Sequence, residues 1–214
     1  MKKFFVTLGL TALIIFFQGG RAEAEKFNER FEKGRSEFGI QVGFGRSLDH
    51  PSFSDEDDRT DLDFLFIFPN YKYNLTGIVG DSFYRGSLYW MIEAGGIVSV
   101  ADPKRFGVKT GESPIYQVGV SPLMVEYKFL SPDRRWAPSI IAGAGFSWGD
   151  INDVASELST AFEFILNIGV GVEYFRDTNG SWSLNYRIFH LSNGHIKSPN
   201  IGLNSHVLSL GFSF

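Results

Sequence analysis

Three polar side chains, His190, Ser192 and Asn204, are of the types needed for covalent ester chemistry. A serine hydroxyl is a weak nucleophile until a base takes its proton, and an imidazole is the base suited to neutral pH. A third group must then hold the imidazole in the right tautomer. His190 and Ser192 stand two residues apart, so an extended strand projects both from one face. Between them and Asn204 lie Gly194, Pro199, Asn200 and Gly202, a composition that turns a chain and brings Asn204 back beside the pair. In this arrangement Ser192 is the nucleophile, His190 the base and Asn204 the orienting group. Backbone amides after Ser192, at Asn193 and Gly194, and the side chain of Asn193 or Asn200 are candidate oxyanion donors. Such donors are typically worth about 3 to 4 kcal/mol each.

The elements that must carry these residues read as strands. From Asn204 onward the even positions Leu208, Leu210, Phe212 and Phe214 are large and apolar, while Ser205, Ser209, Gly211 and Ser213 opposite them are small or polar. This period of two is that of a strand with one apolar face. The same alternation recurs upstream, with Phe38, Ile40, Val42 and Phe44 on one face and glycines and Gln41 on the other. Residues 158–174 repeat it, with apolar even positions against Glu163, Asn167 and Glu173. Further strands are expected at 61–73, 86–100, 115–129, 137–148 and 181–192. In the segment at 61–73, Leu62, Phe64, Phe66 and Phe68 are expected to face outward. The apolar face changes parity between Val120 and Leu123, which one extra residue at Ser121-Pro122 explains as a β-bulge.

Eight such strands make an antiparallel transmembrane β-barrel, and an even number leaves both ends on the periplasmic side. A barrel of this size is filled by side chains, which argues against a diffusion pore. Residues 1–24 read as a cleaved signal peptide, with Lys2 and Lys3 before an apolar run and Ala22-Glu23-Ala24 at the cleavage site. Residues 25–214 form a single barrel domain, and 25–36 a charged lead-in or short helix. The sequence contains no cysteine, so disulfides and thiolate metal sites are ruled out. Mean hydropathy near zero fits a barrel whose lumen residues dilute the lipid-facing ones. A net charge of -4 argues against a nucleic-acid partner. No cofactor and no metal site are expected.

On this frame His190 and Ser192 continue the apolar parity of Trp182, Leu184, Tyr186 and Ile188, so both face lipid near the extracellular rim. Unpartnered polar groups in apolar surroundings cost about 1 to 3 kcal/mol each. An enzyme that leaves its lipid substrate in the leaflet gives a reason for that cost. The plainer reading is that His and Asn at a barrel rim hydrogen-bond headgroups, and that a His-x-Ser spacing arises by chance.

The run His190-Leu191-Ser192-Asn193, followed by Pro199-Asn200-x-Gly202 and a closing strand, resembles the lipid A 3-O-deacylase (PagL) family of outer-membrane enzymes. The resemblance implies an eight-stranded barrel that removes the 3-O acyl chain of lipid A, with lipopolysaccharide as partner. It also implies His190 as base, Ser192 as nucleophile and Asn200 as an oxyanion donor. Asn204 stands where the better-known members carry an acid. An amide there is similar to the Ser-His-Asn triad of outer-membrane phospholipase A, a longer, twelve-stranded, calcium-dependent barrel.

Other features are less specific. Glu163 is a candidate replacement acid, but its parity points into the lumen. The acidic run Asp55 to Asp58 reads as a solvated loop. Lys104, Arg105, Lys109 and Lys197 fall on extracellular connections, where they could meet phosphates. His206 reads as an interfacial histidine, and His50 and His195 lack metal-ligand spacing. The expectation is an outer-membrane serine esterase acting on lipid A. The alternatives are a non-catalytic lipopolysaccharide-binding or structural barrel, and a phospholipase acting on glycerophospholipids; a homodimer is left open.

Overall fold

The computed structural model describes residues 28–47, 60–105, 107–130, 135–177 and 180–214. The expected signal peptide, His50 and the acidic run at 55–58 lie outside these residues. Eight strands close into one antiparallel barrel: β1 (Ser36–Ser47), β2 (Asp63–Asn74), β3 (Gly86–Ser99), β6 (Tyr116–Phe129), β7 (Trp136–Gly149), β8 (Phe162–Asp177), β9 (Gly180–Ser192) and β10 (Leu203–Ser213). Closure comes from β1 pairing with β10, which leaves no open edge in the membrane. The loop between β3 and β6 contains a two-residue ladder of β4 (Lys104–Arg105) and β5 (Val108–Lys109). No helix among the described residues is long and apolar enough to cross a membrane.

The outward face is the apolar one anticipated for most strands. Phe38, Val42, Leu166, Ile168, Val170 and Leu208 are all about half exposed, as lipid-facing residues of a bare barrel must be. The bulge occurs as expected. Val120 pairs with Phe146 and Leu123 with Ala144, so β6 carries one more residue than β7 across that step. The Trp90 indole N–H donates to the Pro122 carbonyl at 2.9 Å, satisfying a carbonyl at the irregularity.

The phase expected for β2 is reversed. Phe64, Phe66 and Phe68 are buried inside the barrel, and Leu65 and Ile67 face outward at 48% and 50% exposure. Apolar residues occupy both faces over 64–68, so hydrophobicity alone does not set the phase there. The polar half of the same strand does, because Asn70, Lys72 and Asn74 share the parity of the phenylalanines and cannot face lipid. The strand after the loop at 150–161 also begins later than expected, at Phe162. Leu158 instead folds under the extracellular loops into an apolar cluster with Phe64, Phe66, Ile151, Leu191 and Val207.

Below that cluster the lumen is a network of paired charges. Arg187 donates a two-pronged pair of hydrogen bonds to Glu93, at 2.7 and 2.6 Å, and a third to Gln41. Lys72 pairs with Glu126 at 2.7 Å, and Lys128 with Glu173 at 2.6 Å and Glu37 at 3.1 Å. At the periplasmic end Phe31 plugs the barrel edge-on against Phe175, and its carbonyl accepts from Asn74.

Candidate active site

His190 and Asn204 meet on the outer wall near the extracellular rim, with Ser192 on the same face of β9. The register places Asn204 directly opposite His190 across the β9–β10 ladder. His190 Nδ1 lies 2.8 Å from Asn204 Oδ1. An amide oxygen only accepts, so Nδ1 carries the proton and Nε2 is left with a lone pair, as a base requires. Ser192 sits two residues further toward the rim on the same face, about 7 Å along the strand. It is half-buried and makes no hydrogen bond to His190 among the described residues.

The return loop, residues 193–202, is held from several sides. The Asn193 backbone N–H donates to Asn200 Oδ1 at 2.8 Å, which fixes the Asn200 amide with its Nδ2 end as the available donor. That Nδ2 stands 3.4 Å from His195 Nδ1. Asn193 itself is fully buried, and its side-chain amide donates to Ser159 Oγ at 2.9 Å and the Lys197 carbonyl at 2.8 Å. Its side chain is therefore a strut of the loop rather than a group facing the wall. Gly194 takes a positive φ of 62°, with the Phe164 ring where a side chain would stand.

Gly202 is a site residue whose role the sequence did not reveal. Its φ is +82°, and a Cβ there would lie 2.5 Å from His190 Cε1 and 3.1 Å from Nε2. Only glycine fits both the backbone and the space beside the imidazole. The available signal was its position two residues before Asn204, level with Ser192.

The remaining candidates fall elsewhere. Glu163 is fully buried in the lumen, where it accepts from Thr160, and does not reach the outer wall. His206 pairs with the Tyr186 hydroxyl on the lipid-facing side, level with Ile188. Lys109 pairs with Asp102 at 3.0 Å and Glu112 at 3.3 Å. Ser113 donates its backbone N–H to Asp102, and this bond with the Lys109 contact holds that carboxyl below its usual range. Arg105 donates to Ser156 Oγ at 2.8 Å.

The family model of lipid A 3-O-deacylase (PagL) matches residues 109–213, which span β6 to β10 and include every residue of the site. No curated protein matches the chain. Among solved structures, the outer membrane enzyme PagL superposes with a TM-score of 0.53 at 18% identity, covering 83% of this chain and 98% of that one. A weaker likeness links the chain to the attachment invasion locus protein Ail of Yersinia pestis, at 11% identity and TM-score 0.44, covering 86% and 100%. Neisserial surface protein A gives 14% and 0.46, covering 82% and 95%. In sequence over residues 109–213, and in fold over most of its length, the chain resembles the lipid A 3-O-deacylase (PagL) family.

Proposed function

We propose that this outer-membrane barrel is a serine esterase that removes the 3-O acyl chain from lipid A. The observation that carries the reading is the His190 Nδ1–Asn204 Oδ1 bond of 2.8 Å on a lipid-facing wall beside Ser192. Ser192 Oγ attacks the ester carbonyl while His190 Nε2 takes its proton, and Asn204 holds the tautomer. Asn200 Nδ2 and the Gly194 N–H stabilise the oxyanion. Collapse expels the sugar alkoxide, which receives the proton from His190, and leaves the acyl group on Ser192. Water, deprotonated by the same imidazole, then releases the fatty acid. Asn204 orients the imidazole but cannot offset its positive charge, so the rate is expected to fall below that of a site with a carboxylate at this position.

The amide at Asn204 also favours a second reading, hydrolysis of glycerophospholipids. Mass spectrometry of lipid A and phospholipids from cells expressing the wild type and Ser192→Ala separates the two. Loss of one 3-hydroxyacyl group only with the wild type supports the deacylase. Lysophospholipid in its place supports the second reading. Unchanged lipids in the presence of a folded barrel would reject both.

A further inference from the structure

Outside the catalytic pair, one buried acid gathers three extracellular loops. Glu157, in the loop between β7 and β8, is fully buried. Its carboxylate accepts two hydrogen bonds from Thr60 in the first extracellular loop, from the backbone N–H at 2.5 Å and the hydroxyl at 2.7 Å. Its backbone carbonyl accepts the Ile201 N–H of the return loop at 3.1 Å. Ile201 lies between Asn200, a proposed oxyanion donor, and Gly202, which abuts the His190 ring. Two residues on, Ser159 donates to the Lys197 carbonyl at 3.0 Å and accepts from Asn193. Residues 157–159 therefore form a strap that grips both limbs of the oxyanion turn, and Thr60 anchors the strap at its far end. A buried carboxylate is retained only where its acceptors are satisfied, and Thr60 does this at 97 residues' distance in sequence. We propose that Glu157 is a positioning residue for the oxyanion turn, holding residues 200–202 against His190 and Ser192 through the strap. The proposal rests on the esterase reading for its effect on rate, and on geometry alone for its effect on the loop.

The test uses the full barrel refolded in detergent micelles, with Glu157→Ala, Glu157→Gln and Ser159→Ala beside the wild type. Reaction of Ser192 with a fluorophosphonate, and hydrolysis of purified lipid A, report the site. A displacement near 1 Å at a reacting centre can cost about 100-fold. Glu157→Ala is thus expected to slow labelling and kcat by about 10- to 100-fold with KM little changed, and Ser159→Ala to act in the same direction. Glu157→Gln keeps an oxygen for the Thr60 N–H and an amide that the Thr60 hydroxyl can accept from, so it should restore most of the rate. Faster hydrogen exchange at the Ile201 amide in Glu157→Ala, in a barrel with unchanged heat-modifiable mobility, is the readout independent of activity. A wild type that neither reacts nor hydrolyses defeats the esterase reading and leaves the exchange result to judge the strap. Unchanged Ile201 exchange, or an active wild type matched by Glu157→Ala, overturns the proposal.

Discussion

The lumen and the outer wall both hold polar groups in places where water is scarce, and they handle them in opposite ways. In the lumen Arg187, Glu93, Lys72, Glu126, Lys128 and Glu173 neutralise one another at distances of 2.6 to 2.7 Å. Desolvating a charge is costly, and an opposite charge held at these distances with good hydrogen-bond geometry offsets that cost. On the outer wall the Asn204 contact engages one side of His190 and leaves Nε2 without a described partner, as Ser192 Oγ is left. A closed network stabilises a fold and offers nothing to a substrate. An open one gives up stability and presents a base and a hydroxyl.

If this contrast is right, mutations in the two regions should separate activity from stability. The largest effect is expected from Ser192→Ala, which should lower lipid A hydrolysis by about 1,000-fold or more while the barrel keeps its heat-modifiable mobility. Equal hydrolysis would place the nucleophile elsewhere. Arg187→Leu should do the reverse. It strands Glu93 in the lumen and is expected to cost about 3 to 5 kcal/mol in detergent unfolding, with the activity of the surviving folded fraction little changed. A stable variant would mean that the lumen network is not the scaffold described above.

Smaller effects sharpen the outer wall. Asn204→Ala, which frees the imidazole tautomer, is expected to slow hydrolysis by about 100-fold, whereas Asn204→Asp should match or exceed the wild type by offsetting the imidazolium. Single-turnover rates of the two variants would decide whether orientation or charge is the main contribution of this position. Gly202→Ala should slow the reaction by about 10-fold, since its Cβ meets the His190 ring and the backbone has positive φ. Full activity in Gly202→Ala, measured in the same single-turnover assay, would argue against that steric account.

The smallest effect concerns the second extracellular loop. Asp102 titrates below its ordinary value of 3.8, first because of the Ser113 N–H and next because of Lys109. A lowered carboxyl contributes stability that is present above its unfolded pKa and lost as pH falls through its folded one. The loop at 102–113 should therefore be unchanged from neutral pH down to about 4 and loosen only below it, and Asp102→Asn should abolish that pH dependence. Hydrogen exchange at the Ser113 amide measures it.

Much of the frame was legible because its rule is local. Residues 38–44 and 162–172 alternate clearly, and a parity change in one strand was enough to locate the bulge at Ser121-Pro122. The phase of β2 was misjudged where both faces are apolar, although Asn70 and Lys72 on the same strand carried the answer. For the site, the spacing of His190 and Ser192 fixed their common face. The turn residues between 194 and 202 implied that Asn204 would return to it. Burial of the Asn193 side chain and the steric role of Gly202 were not legible, because both depend on which atoms the return loop meets.

By itself, the sequence determined the strand period, the lipid-facing parity and the residue types available for ester chemistry, since each is a property of neighbours two to four residues apart. Tertiary structure decided the rest. Pairing β1 with β10 closes the barrel, setting Asn204 opposite His190 fixes a tautomer, and joining Thr60 to Glu157 and Ile201 secures the turn that carries Asn200. These contacts join residues from different strands and loops, and their energies exist only once register and closure have brought those groups within hydrogen-bond reach.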